Sequence, residues 1–121
     1  HVVYTAWDPD LPASLSPTVI GHVIRERIGF DGLLMTDDLG MHALSGDFGV
    51  GAEGAVPAGC DIALHCSGDM AEMEAIAATV PALSAESEAR LARAMAVTLN
   101  EEDDLDYAEA VAKRDALLAL V

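Results

Sequence analysis

Asp37 and Asp38 stand side by side where an apolar run, Leu33-Leu34-Met35, gives out through Thr36. The run is short and continuous, which suits a strand buried on both faces, as in a parallel sheet. The carboxyl ends of parallel strands in α/β folds are where ligands bind and chemistry sits. Side chains alternate along a strand, so Asp37 shares a face with Leu33 and Met35, while Asp38 points with Leu34 and Thr36. One acid can then face a site while its neighbour serves the backbone or the next helix. A plainer reading has Asp38 capping a following helix and Asp37 as a solvated loop acid. A third makes the pair a Mg²⁺ site, since strand-end acids do bind that ion. No Gly-rich phosphate loop or strand-following Lys accompanies them to support it.

The elements that must hold these acids alternate along the chain. His1 to Tyr4 reads as the tail of a strand entered part-way, so residues ahead of His1 are expected in the natural gene product. Thr5 to Ser16 is irregular, with Pro9 and Pro12. Ser16-Pro17 starts a helix, a Ser cap with Pro in the first turn. It runs to about Ile28 on a stripe of Val19, Ile20, Val23, Ile24 and Ile28, and Gly29 stops it. His22 lies at the stripe's edge and reads as a partly buried packing residue. The strand Leu33 to Thr36 follows. Leu39 to Ser45 can begin a helix. The glycines at 46, 49, 51 and 54 leave a loop and a short, poor helix near Ala52 to Ala58, each costing about 1 kcal/mol against Ala. Cys60 to Cys66 is the next buried strand.

Asp69 caps a helix from Met70 to about Thr79, with Met70, Met73, Ile76, Ala77 and Val80 as a core stripe. Ser84 starts another, to about Asn100, on Glu88, Leu91, Ala92, Met95 and Leu99. Glu101 to Asp104 is an acidic connection whose end caps a last helix, with Tyr107, Val111, Leu118 and Val121 on one face. Apolar strands alternating with helices predict βαβ units, hence an α/β fold with a parallel sheet.

The 121 residues bound the chain to one domain or part of one. The charge of −15, from 21 acids against 6 bases, argues against nucleic acid or an anionic membrane as partner. No apolar run approaches the ~18 residues of a membrane span, and the opening residues carry no signal pattern. Cys60 and Cys66 bracket one strand, about 20 Å apart at about 3.3 Å per residue, so they neither pair nor share a metal. Free thiols fit a reducing cytoplasm, the expected location. The four histidines, His1, His22, His42 and His65, show no zinc spacing.

The runs His1-Val2-Val3-Tyr4, Asp8-Pro9-Asp10-Leu11-Pro12-Ala13-Ser14-Leu15-Ser16-Pro17, Gly29-Phe30-Asp31-Gly32, Thr36-Asp37-Asp38-Leu39-Gly40-Met41 and Ala58-Gly59-Cys60-Asp61 stand in this order. Together they resemble glycoside hydrolase family 3, and within it the bacterial β-N-acetylhexosaminidases that recycle peptidoglycan. The match is in register from His1 to about Cys66 and weaker beyond. It departs at Gly40, usually Ser in the family, at Cys66, often Asn, and in the Gly-rich run after the acids.

The resemblance implies the C-terminal part of a (β/α)8 TIM barrel, about strands 6–8 with their helices. Residues 1–100 would supply barrel strands and helices, and 101–121 an acidic connection and helix. A whole barrel takes about 250 residues. The resemblance also implies a retaining glycosidase releasing terminal β-linked N-acetylglucosamine from peptidoglycan fragments, with Asp37 as nucleophile and no cofactor or metal. The family's general acid, a histidine on a mobile loop, would lie outside this chain, so the chain alone is expected to be inactive. His1 matches a strand-end histidine of the family without a catalytic role, and His65 reads as a supporting residue near the site. The alternative is a non-catalytic, truncated α/β interaction module. On either reading the uncovered inner face of the strands is expected to be covered by self-association or by another chain.

Overall fold

The computed structural model describes residues 1–41, 44, 48–99 and 106–120. In order these form a 3₁₀ turn (Ala13–Leu15), a π-helix (Thr18–Arg27), β1 (Met35–Asp38), α1 (Phe48–Ala58), β2 (Ile62–Leu64), α2 (Met70–Thr79), α3 (Ala85–Leu99) and α4 (Tyr107–Leu118). β1 and β2 are parallel neighbours joined through α1, so the predicted βαβ unit and α/β class are present.

Ser16 starts the first helix as its sequence suggests. Its hydroxyl accepts from Val19 N–H at 3.0 Å and donates to Asp8 at 2.6 Å. Val19, Ile20 and Val23 are buried beneath it. The winding is looser than an α-helix, and Ile28 N–H closes on Val23 C=O five residues back. Two expectations fail on this helix. Ile28 is 68% exposed. His22 stands in solvent, 2.8 Å from Glu26 one turn on, because the stripe is narrower than its sequence spacing suggested.

His1–Tyr4 is not a strand. Its chain is tied to the following loop, with Ala13 N–H on Val2 C=O at 2.8 Å, and Val2, Val3 and Tyr4 are exposed. Among the described residues no strand pairs with it, so β-branched residues alone do not make it one. The predicted strand from Leu33 to Thr36 sits two residues further on. Leu34 stays outside β1, yet its C=O accepts from Asp61 and Ile62 N–H at 2.8 and 3.2 Å. The acids therefore form the last two residues of β1.

α1 begins at Phe48, earlier than the glycines suggested. Gly51 and Gly54 are close-approach positions. A Cβ at Gly51 would meet Leu44 and Leu39 at 3.3–3.4 Å, and one at Gly54 would meet Leu15 at 3.2 Å. Packing thus outweighs propensity. The helix closes in a Schellman motif on Gly59, φ 116°, with Gly59 N–H on Val56 and Cys60 N–H on Ala55.

Two small cores result. Ile20, Ala58 and Cys60 pack with Ile24 and Leu34, while Leu39 and Ile76 pack with Leu44, Ala63 and Val80. Cys60 and Cys66 are free. Asp69 caps α2 as expected, accepting from Ala71 and Glu72 N–H, but Met70 and Met73 are exposed and only Ile76 of the stripe is buried. α3 is also held differently. Its buried side is Ser87 and Arg90, which bond to Asp61, whereas Met95 is 50% exposed. Asp106, beyond the acidic run, caps α4. Tyr107 and Leu118, read as its packing face, are exposed. The helix start at Leu39–Ser45 falls partly outside the described residues, with Leu39–Met41 forming a turn closed by Met41 N–H on Asp38 C=O. Asn100, the run 101–104 and Val121 lie outside them too.

Candidate active site

β1 and β2 do not pair evenly. Met35 faces Ile62 and Asp38 faces Leu64, so three steps along β1 match two along β2. The extra residue makes a bulge, a device that re-aims a side chain and recurs beside active sites. Thr36 makes it tolerable. Its hydroxyl, 5% exposed as a residue, accepts the Leu64 N–H at 2.9 Å in place of a backbone carbonyl. Leu39 N–H then rejoins Leu64 C=O at 2.9 Å.

The two acids divide as alternation along a strand requires. Asp38 turns back into the structure. Its Oδ1 accepts from Gly40 and Cys66 N–H, each at 3.0 Å, and lies 3.5 Å from His65 Nδ1. Its carbonyl accepts from His1 Nε2 at 2.9 Å and Met41 N–H at 3.1 Å, while His1 Nδ1 reaches Ser14 Oγ. The Gly40 amide does most to hold the Asp38 carboxyl below the usual carboxylate range. Partial desolvation opposes it, and the Cys66 amide and His65 add to it. A Cβ at Gly40 would press on this carboxylate at 3.3 Å and on the His65 ring at 3.4 Å.

Asp37 is exposed, on the face it shares with Met35. Its Oδ1 accepts from Asp38 N–H at 2.8 Å, which steadies the side chain. Cys66 is exposed beside the pair. Desolvation, then the charges of Asp38 and Asp37, push its thiol above the usual range.

His65 follows β2 directly. Its side chain is 5% exposed, and its Nε2 lies 2.8 Å from both Glu72 Oε2 and Ser67 Oγ. So the acids at the end of β1 and a His–Ser–Glu group after β2 meet at the same end of the sheet. The arrangement offers an accessible carboxylate, aimed from a strand whose other acid takes two backbone amides on Oδ1. Among the described residues no three His, Cys, Asp or Glu side chains group as metal ligands.

The opposite end of the sheet is a structural clasp. Asp61, with a side chain 2% exposed, accepts from Arg25, Leu34 N–H, Ser87 and Arg90. A hollow of about 460 Å³ lies there, lined in part by Asp61, Pro81, Ser84 and Arg90. Arg90, the arginine that lines it, is already paired with Asp61, and Asp37 is not part of it. Burial, then Asp61, pushes the nearby Cys60 thiol up to about 11. Sequence reasoning missed Thr36, Glu72 and the Asp61 clasp. The available signal for the last was an acid inside an otherwise apolar strand, which needs buried partners. No helix among the described residues is long and apolar enough to cross a membrane.

Residues 1–100 match the model of the glycosyl hydrolase family 3 N-terminal domain. The chain is 39% identical to the beta-hexosaminidase of Bordetella pertussis over 95 residues, which cover 75% of this chain and 27% of that protein. It is 45% identical over 69 residues to the beta-hexosaminidases of Alkalilimnicola ehrlichii and Haemophilus ducreyi, covering 55% of this chain and 20% of each. The chain thus spans about a quarter or less of the length of these relatives.

Proposed function

Because this chain belongs to glycosyl hydrolase family 3, as part of its N-terminal domain, we propose that it carries the nucleophile, Asp37, of a retaining β-N-acetylhexosaminidase. The substrate is a terminal β-linked N-acetylglucosamine, in peptidoglycan fragments. One observation supports the assignment above others. Asp37 is exposed and accepts from the neighbouring Asp38 amide, while Asp38 accepts from the Gly40 and Cys66 amides and works as scaffold.

In this reading the Asp37 carboxylate attacks the anomeric carbon, and the bond to the leaving oxygen breaks as a glycosyl-enzyme ester forms. Water then attacks the same carbon, which releases the sugar with retained configuration and frees Asp37. Each step needs an acid or base at the glycosidic oxygen or at the water. That group comes from outside these residues, as do the groups that grip the sugar, so the chain alone is inactive. β1 and β2 are then consecutive late strands of a TIM-barrel-type domain, with His1–Tyr4 in the place of the strand before them. Residues 1–100 belong to the barrel, and 101–121 are an appended connection and helix. The exposed side of Met35, Val2 and Val3 is covered in the cytoplasmic protein by the remaining barrel, whether from the same chain, another chain or a second copy.

The test is hydrolysis of an aryl N-acetyl-β-glucosaminide by the full gene product. Asp37→Ala is expected to lower kcat on the order of 10⁴-fold or more, and a fluorinated substrate that arrests the intermediate should leave its sugar on the peptide containing Asp37. Unchanged turnover in Asp37→Ala would refute the assignment and favour the non-catalytic interaction module.

A further inference from the structure

We propose that His65 is a positioning residue that carries its proton on Nε2, where it clamps Glu72 of α2, and so braces the Asp38 peptide from which Asp37 projects. The proton's place follows from the contacts. Nε2 lies 2.8 Å from Glu72 Oε2, whereas Nδ1 lies 3.5 Å from Asp38 Oδ1. A carboxylate only accepts, so two lone pairs would face each other at the shorter contact unless Nε2 held the hydrogen. Ser67 agrees with this. Its hydroxyl lies 2.8 Å from the same nitrogen and donates to the same Glu72 oxygen at 2.5 Å. A second proton on the ring goes to Nδ1 and faces Asp38.

The order Ser67, His65, Asp38 has the spacing of a nucleophile, base and carboxylate triad. The Glu72 contact decides against that use, because a base must offer its Nε2 lone pair to the serine and here that position already donates. Ala63, Met73, Ile76, Ala77 and Val80 line a hollow of about 300 Å³ together with His65. The clamp ties α2 to the residues after β2, and the next residue, Cys66, carries the tie to the strand end through its N–H on Asp38 Oδ1 at 3.0 Å. Asp37 is one bond from the braced peptide, and a displacement of about 1 Å at a reacting group can cost on the order of 10²-fold in rate.

The kinetic part of this proposal rests on Asp37 being the nucleophile, but the protonation part does not. Nitrogen-15 NMR of the His65 ring in the full gene product is expected to show the neutral form protonated at Nε2. A neutral form protonated at Nδ1 overturns the proposal and leaves the Asp37 assignment standing. His65→Gln places an amide donor where Nε2 was and is expected to keep kcat within about threefold. His65→Asn cannot reach Glu72 and is expected to lower kcat about tenfold with KM within about twofold. Equal losses in the two variants, at matched melting temperature, overturn the clamp. If Asp37→Ala leaves turnover unchanged, the glycosidase reading fails while the NMR result still decides the proton's place.

Discussion

Asp61 is where this structure makes its sharpest energetic prediction. Its buried carboxylate accepts from Arg25 and Leu34 N–H on Oδ2, each at 2.8 Å, and from Ser87 at 2.7 Å and Arg90 at 3.0 Å on Oδ1. Asp61→Ala removes all four acceptor contacts. The arginines keep other partners, Arg25 on the Phe30 and Gly32 carbonyls and Arg90 on Glu86 and Asp31. Each lost arginine bond therefore counts at its lower value, about 1.5 kcal/mol, with roughly another 1 kcal/mol for the Leu34 amide, while Ser87, which stays bonded to Ser84 at 3.0 Å, adds little. The sum of about 4 kcal/mol falls inside the roughly 3–5 kcal/mol seen when one partner of a buried pair is removed. It is a large share of the 5–15 kcal/mol or so that stabilises a typical domain.

Asp61→Asn keeps one carbonyl oxygen for Arg25 and Leu34 but turns an amide toward Arg90, so about 2 kcal/mol is expected. At about 4 °C per kcal/mol for this size, melting followed by circular dichroism should fall by about 15 °C and 8 °C respectively. The acid limb carries the sign. Burial pushes the Asp61 carboxyl up, but the Leu34 amide, Ser87 and Arg90 together bring it below its usual value. A carboxyl depressed in the folded state adds stability above its unfolded pKa of about 3.9 and loses it as pH falls through the folded value. Asp61→Asn should flatten that loss below about pH 4. Asp61→Asn melting within about 1 °C of the parent, with the same acid limb, would refute the reasoning.

Two further outcomes test the strand end. Thr36→Val keeps the shape but leaves the Leu64 N–H without its acceptor. It should cost about 1–2 kcal/mol in urea unfolding, and Thr36→Ser should recover most of that; an unaltered midpoint in Thr36→Val would mean the hydroxyl does not support the bulge. Cys66 is exposed, yet crowding and two nearby carboxylates disfavour its thiolate. Iodoacetamide at pH 8 should label it more slowly than a free cysteine, and Asp38→Asn should speed labelling; labelling at the free-thiol rate would contradict the charge arrangement.

Much of this molecule was legible in its residue order because the signals are local. Ser16-Pro17, Asp69 and Gly59 act within a turn of chain, so the helices they start or stop sit close to where spacing put them. The division between Asp37 and Asp38 follows from side-chain alternation along one strand and needs no distant partner. What only the tertiary structure decided depends on residues far apart in sequence. Gly51 and Gly54 read as helix breakers until Leu39, Leu44 and Leu15 pack against them. His1–Tyr4 has strand composition but, among the described residues, no strand beside it, and strand identity requires a ladder. The bulge at Thr36 exists only in the register with β2, and Asp61 becomes a hub only when Arg25 and Arg90 converge from elements 36 and 29 residues away. Propensity and capping are properties of neighbours in sequence, whereas register, close approach and buried charge pairing are properties of neighbours in space.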